Sequence, residues 1–313
     1  PYPAFEMRNG LYNVSWNTSF HKGGYYGIRV NATKEYYHSN STLFANWVYL
    51  NNTPPIVENL TVSPETAGWG EMFTYRADVY DKQMDNVTCK LLVSTDGGKT
   101  WVVKGETVIE WGRGSCVFNV SDFSCSDIGS DNYFMFEVDD GTNIFNTTSV
   151  NKPLIEKDDV IVYYAEGNES YVNRSGSQTT RLSLLVKDID RNVYVESGVS
   201  GAFYITVDKN NFFSYTDIQT NSSGYLNFDF DPTCDYEVGK QYWFGGTYGD
   251  ECYKDYNVSE NYTVNVVGDL VNSVVDILDI NGISKYYFLK GENITVRTKV
   301  EDDCAVEASA NVS

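Results

Sequence analysis

Histidine is nearly missing. His21 and His38 are the only two in 313 residues, which thins the supply of general bases and zinc ligands. Positive charge is also scarce, with 23 Lys and Arg against 43 Asp and Glu. The net charge of −20 argues against a nucleic-acid partner, because phosphate contacts need a basic footprint. No apolar run reaches the ~18 residues of a membrane helix, so no membrane span is expected in this segment. Alanine numbers only 10, and no stretch holds a long helical period. There is no Cys-x-x-Cys pair and no glycine-rich phosphate loop. No leader precedes Pro1, so the chain reads as a processed or excised segment. Against these shortages stand 42% hydrophobic and 15% aromatic residues, enough to build packed cores.

Asparagine is in excess. Random placement of 29 Asn among 50 Ser and Thr would give about five Asn-x-Ser/Thr glycan-acceptor triplets, and the chain has 16. They begin at Asn13, Asn17, Asn31, Asn40, Asn51, Asn59, Asn86, Asn119, Asn146, Asn168, Asn173, Asn221, Asn257, Asn261, Asn293 and Asn311. Many sit across an alternating apolar pattern. Asn31 opposes Tyr26, Ile28, Val30 and Ala32, and Asn86 opposes Val87, Cys89, Leu91 and Val93. Asn119 lies between Phe118 and Val120, and Asn59 opposes Ile56, Leu60 and Val62, with Glu58 falling on the inner face. Neighbouring side chains on a strand point to opposite faces, so these asparagines are expected on solvent faces with room for a glycan. The expected compartment is extracellular, at the cell surface.

The six cysteines are Cys89, Cys116, Cys125, Cys234, Cys252 and Cys304. Cys234 and Cys252 flank a turn-rich stretch of one module and are expected to pair. Cys89, Cys116 and Cys125 share another module, where one must pair elsewhere or stay free. Cys304 finds no partner in its own segment.

Strand signals recur every 8 to 12 residues with turns between them, which predicts an all-β chain of tandem immunoglobulin-like sandwiches. Asn52-Thr53-Pro54-Pro55 is a stiff linker. Residues 54–151 hold seven predicted strands and form one complete sandwich. Residues 152–267 form a larger sandwich, in which Thr220-Asn221-Ser222-Ser223-Gly224-Tyr225-Leu226-Asn227-Phe228, leading into Phe230-Asp231-Pro232, resembles the strand-turn-strand of immunoglobulin-like and prealbumin-like modules. Residues 268–313 and 1–53 carry three predicted strands each, too few to cover their own apolar faces. Their strand order reads as the opening and closing halves of one sandwich, and together they nearly match the complete module in length. The expectation is an incomplete half-sandwich at each end, completed by an adjacent copy head-to-tail.

Three patterns bear on chemistry. Ser94-x-Asp96-x-Gly98-x-Thr100-Trp101 matches the Asp-box hairpin of sialidase-type propellers. One copy cannot make a propeller of four or more blades, so the expectation is a structural turn. Acidic clusters at Asp81/Asp85, Asp139/Asp140, Asp188/Asp190 and Asp229/Asp231/Asp235 have no EF-hand spacing, and solvated loop charge is favoured over calcium. The aromatic stretch 239–256, with Tyr242, Trp243, Phe244, Tyr248, Tyr253 and Tyr256, is the best candidate for a recognition face. No catalytic residue, resident metal or cofactor is expected beyond N-glycans, and no enzyme activity.

The chain resembles archaeal surface glycoproteins built of tandem immunoglobulin-like domains, of the S-layer, pilus or thread type. The resemblance rests on Thr53-Pro54-Pro55 ahead of Leu60-Thr61-Val62-Ser63-Pro64, on the strand-face sequons, and on the acidic, Asn/Tyr-rich, Ala-poor usage. It implies a structural subunit or repeat of a glycosylated extracellular filament or surface layer, whose partners are copies of itself. The rival expectation is a cell-surface adhesin or carbohydrate-binding array.

Overall fold

A computed structural model describes residues 2–311. The chain divides into two compact units, Pro1–Lys157 and Asp158–Ser313.

The first unit opens with two hairpins, β1 (Phe5–Arg8) with β2 (Leu11–Asn13) and β3 (Gly24–Ala32) with β4 (Asn40–Leu50). A sandwich follows, made of β5 (Ile56–Ser63), β6 (Thr66–Gly68), β7 (Phe73–Tyr80), β8 (Val87–Ser94), β9 (Val102–Ile109), β10 (Arg113–Val120), β11 (Tyr133–Asp139), β12 (Ile144–Asn146) and β13 (Leu154–Glu156). One sheet runs β10-β7-β5 and the other β12-β11-β8-β9. This is the three-on-four immunoglobulin-like arrangement. The period-2 pattern of the sequence builds it. Phe73, Tyr75, Ala77 and Val79 of β7 face inward onto Cys89, Leu91 and Val93 of β8 and Phe134, Phe136 and Val138 of β11. Burying each large side chain contributes about 1.5–3 kcal/mol. Cys89 and Cys116 form a disulfide that joins the two sheets across this core.

Two expectations change here. A β-bulge between Glu58 and Thr61, with Asn59 at φ 55°, shifts the register of β5. Glu58 is therefore exposed, Ile56 turns outward, and Val57, Leu60 and Val62 take the inner positions. The chain also stays with this sandwich beyond residue 151, because β13 pairs in parallel with β6.

The second unit contains β14 (Val160–Glu166), β15 (Ser170–Asn173), β16 (Thr180–Asp188), β17 (Ser200–Thr206), β18 (Phe212–Gln219), β19 (Tyr225–Phe230), β20 (Gly239–Thr247), β21 (Tyr256–Asn257), β22 (Tyr262–Val267), β23 (Leu270–Leu278) and β24 (Thr295–Asp302). Sheet β14-β16-β19 faces sheet β15-β22-β20-β17-β18, with β21 on the edge of β20. Leu182, Leu184 and Val186 pack with Phe203, Ile205, Trp243 and Val264 in the core. Gly246 is required where β21 meets β20, since a Cβ there would lie 1.9 Å from the Tyr256 carbonyl oxygen. Between β16 and β17 the chain makes a single bridge, Lys187 with Tyr194.

The last two strands, β23 and β24, form a hairpin. Of the three strands expected in residues 268–313, the third is only a bridge between Glu301 and Glu307.

The expected Cys234–Cys252 pair does not form; Cys234 bonds Cys304. Cys234 precedes β20 and Cys252 follows it. A nine-residue strand puts about 30 Å between its two ends, whereas a disulfide needs Cα atoms about 4.4–6.8 Å apart. No described cysteine is free.

Candidate functional site

The sequon asparagines come to the surface. Asn13, Asn17, Asn31, Asn40, Asn51, Asn59, Asn86, Asn119, Asn146, Asn168, Asn221, Asn257, Asn261, Asn293 and Asn311 are all exposed, and Asn173 is half-buried. Several are held through Oδ1: Asn31 accepts from Ser41 Oγ, Asn86 from the Trp111 amide, Asn119 from Thr74 Oγ1, and Asn221 from the Ser223 and Tyr225 amides. None of these bonds uses the Nδ2 to which a glycan would attach. Asn173 differs, because its Nδ2 donates to both carboxylate oxygens of Asp269 at 3.3 and 3.2 Å. Asn59 Nδ2 donates to Asp78, whose carboxyl is held down at about 2 by hydrogen bonds from Ser115, Asn59 and Arg76.

A second feature is the uncovered apolar face of the β3–β4 hairpin and of the β23–β24 hairpin. On β3 and β4, Ile28 lies opposite Phe44 and Tyr26 opposite Val48, on one face with Val30. Trp16 covers part of it, 5.1 Å from Tyr26. The rest opens as a groove of about 500 Å³ lined by Val14, Trp16, Tyr26, Ile28 and Val30, with Val30 51% exposed. On β24, Val296, Thr298 and Val300 share one face, with Ile277 of β23 opposite Val296, while Arg297, Lys299 and Glu301 occupy the other. Val296 is 62% exposed, and Leu270, Ile294 and Val306 nearby are also exposed.

The C-terminal hairpin is nevertheless gripped by the second sandwich. Arg174, whose side chain is 4% exposed, donates from Nε to both oxygens of Asp303 and from Nη2 to Asp302 and Asp303. Its Nη1 donates to the Tyr236 carbonyl, 3.0 Å away. With the Cys234–Cys304 disulfide beside it, this clamp fixes the root of β24 to the end of the sandwich.

The acidic clusters are less solvated than expected. Asp81, Asp140 and Asp188 are buried because each caps a turn with its carboxylate. Asp81 accepts from the Gln83 and Asp85 amides, and Asp140 from the Thr142 and Asn143 amides. Asp96 accepts from the Lys99 and Thr100 amides and from Thr100 Oγ1, which holds its carboxyl far below the usual range. Trp101 Nε1 donates to the Gly98 carbonyl beneath, so the Asp-box pattern is a structural hairpin.

Asp158 was missed by sequence reasoning, since Lys157-Asp158-Asp159 reads as exposed charge. It is wholly buried, and neither of its carboxylate oxygens has a hydrogen-bond partner. One oxygen each from Asp158, Asp188 and Asp190 lie within 4.8 Å of one another. Burial, then the charges of Asp188 and Asp190, push the Asp158 carboxyl up to about 7. The other charged or titratable groups around it are Arg191 and Tyr253, both bonded to Asp188, and the Asp159–Lys254 pair. Between pH 3.8, where the unfolded carboxyl ionises, and about 7, the folded state holds a proton the unfolded state has lost. Stability therefore declines as pH rises through that window. In chelator, thermal denaturation at pH 5 and pH 8 is expected to show this fall, and Asp158→Asn should make the profile flatter. An equal slope in the variant would assign the fall to other carboxylates.

Of the aromatic stretch, Trp243 and Tyr253 belong to the core, whereas Tyr242, Tyr248 and Tyr256 are exposed. Phe244 stacks on Tyr204 at 4.8 Å and meets Phe212 at 5.2 Å on the outer face of the sheet.

No family model matches the chain, and no curated protein does. Among solved structures it is similar to a tetra-tandem repeat in the extending region of a large adhesion protein, at 14% identity and TM-score 0.40, over 93% of this chain and 75% of that one. A titin structure aligns at 7% identity and TM-score 0.32, over 64% of this chain and 93% of that one. Red sea bream transglutaminase aligns at 11% identity and TM-score 0.27, over 67% of this chain and 31% of that one. None of the three reaches a TM-score of 0.5.

Proposed function

We propose that the chain is a structural subunit or repeat of an extracellular, N-glycosylated filament or surface layer that associates head-to-tail. The C-terminal hairpin of one copy lays the Val296 face of β23 and β24 on the Val30 face of β3 and β4 in the next. The observation that carries this reading is the pair of uncovered apolar faces with opposite charge around them. Residues 1–52 hold four Lys and Arg against two Asp and Glu, a net +2 in a chain of −20. Residues 268–313 hold eight acids against four bases, a net −4. Opposite charge steers two such faces together, and buried aliphatic and aromatic side chains hold them.

Sedimentation velocity of the full chain across a concentration series tests this. The wild type is expected to form a ladder of species that grows with concentration and shortens in high salt. Val296→Asp and Val30→Asp each place a charge on a face already exposed, so folding should survive. Either one should weaken association at least tenfold, or about 1.4 kcal/mol. A wild type that stays monomeric, or variants that associate as it does, would overturn the reading.

In the same reading the exposed sequons carry glycans that keep sheet edges from pairing wrongly. Glycopeptide mass spectrometry of natively produced protein is expected to find the exposed asparagines occupied and Asn173 the least so, because it is half-buried as well as held through its amide by Asp269. Full occupancy at Asn173 would contradict this ranking.

The second reading, carbohydrate binding, has one observation in its favour: the outward aromatic platform of Tyr204, Phe212, Tyr242 and Phe244. Sugar rings stack on such faces. Saturable glycan binding lost in Tyr242→Ala would support it.

A further inference from the structure

We propose that Asp158, Asp188 and Asp190 bind one hard divalent cation, and that calcium fills this role in an extracellular setting. The proposal goes beyond the assembly reading and stands if that reading fails.

Three observations meet at this point. The first is spacing. Oxygens from the three carboxylates lie within 4.8 Å of one another, and a calcium ion with ligands at about 2.3–2.6 Å bridges oxygens up to about 5 Å apart. The second is the state of Asp158. A wholly buried carboxylate normally accepts several hydrogen bonds, yet both of its oxygens are without a partner. The third is charge. Arg191 donates from Nε to Asp188 Oδ2 at 2.9 Å and from its amide to Oδ1 at 2.9 Å, so it balances one carboxylate. With Asp158 ionised, two negative charges remain, the complement of a divalent ion. The donors are all oxygen, which selects a hard cation over zinc or copper.

The backbone holds the cluster in place. The Asp158 amide donates to the Cys252 carbonyl, and the Lys254 amide donates to the Asp158 carbonyl, each at 2.9 Å. Asp188 ends β16, and the following Ile189 amide reaches the Asp159 carbonyl. A bound ion would therefore staple the entry of β14 to the exit of β16, and through both to the loop after β20. The other acidic trio, Asp302, Asp303 and Cys304, lacks these properties. Its sulfur is in a disulfide, and Arg174 already grips both carboxylates.

The competing occupant is a proton shared between Asp158 and Asp190. Calorimetric titration and thermal denaturation separate the two, with full chain freed of metal by chelator and studied at pH 8, where Asp158 would otherwise be ionised. Calcium chloride is expected to bind at one saturable site with Kd of about 10⁻⁴–10⁻³ M, the range of extracellular modules. Excess calcium should raise the melting midpoint by about 3 °C or more. Asp190→Asn, at an exposed residue, should weaken binding at least tenfold. Asp158→Asn should melt no lower than wild type in chelator and should lose the calcium response. Magnesium, which sheds water reluctantly and demands a tighter octahedron, should bind more weakly. The proposal is overturned if calcium shifts nothing, or if it shifts both variants as much as the wild type.

Discussion

Cys304→Ser should cost about 4 kcal/mol, the loop-closure value for a bridge spanning 70 residues. The loss should be greatest at the hairpin. Hydrogen exchange is expected to show β23 and β24 losing more protection than β16 and β17, whose buried side chains pack in the core away from the bridge. Arg174→Met tests the same root by another route. It leaves Asp302 and Asp303 without their cation, and breaking a buried pair from one side costs about 3 kcal/mol or more. Both variants should also lose association, since the hairpin they release is the one proposed to dock. Unchanged protection of the hairpin in either variant would contradict the clamp.

Trp243→Ala should be the most damaging single change in the second core, at about 3–5 kcal/mol. Trp243 is fully buried on β20 and touches Phe203, Tyr164 and Tyr262 rings at 5.8, 6.3 and 5.0 Å. Trp243→Phe should cost far less, about 1.5 kcal/mol or under. The indole Nε1 has no hydrogen-bond partner, so removing it relieves an unsatisfied donor while most of the ring contact stays. Chemical denaturation of the three proteins checks the order. A Phe variant as unstable as the Ala variant would mean that the indole nitrogen is satisfied in solution.

The strands of both sandwiches were legible because period-2 alternation is a local property. Phe73, Tyr75, Ala77 and Val79 announce their inward face within eight residues. Placement of most sequons followed from the same alternation. The failures share a different origin, which is dependence on residues far along the chain. Cys234 finds Cys304 rather than its near neighbour Cys252 because β20 carries the two ends of that stretch apart. Asp158 becomes buried only when the backbone of 252–254 folds over it, and nothing in Lys157-Asp158-Asp159 announces that. β15 is four residues long and pairs in parallel with β22, about ninety residues further on, so no hairpin signal marks it. Asn173, the one half-buried sequon, lies on that strand. Asn59 shows the opposite case: the misfit of Glu58 in the alternation was visible, and a bulge resolves it.

The Cys234–Cys304 bridge also sets a limit on how far the chain can lengthen when pulled. A stretch of 70 residues drawn out fully measures about 240 Å, and an intact bridge withholds that contour from the load. Tension entering ahead of Cys234 and leaving beyond Cys304 would meet a covalent stop before the segment that holds β20 to β24 could lengthen. Reduction would turn the same segment into slack, so oxidation state would decide whether a stretched copy recoils as a stiff link or yields as a loose one.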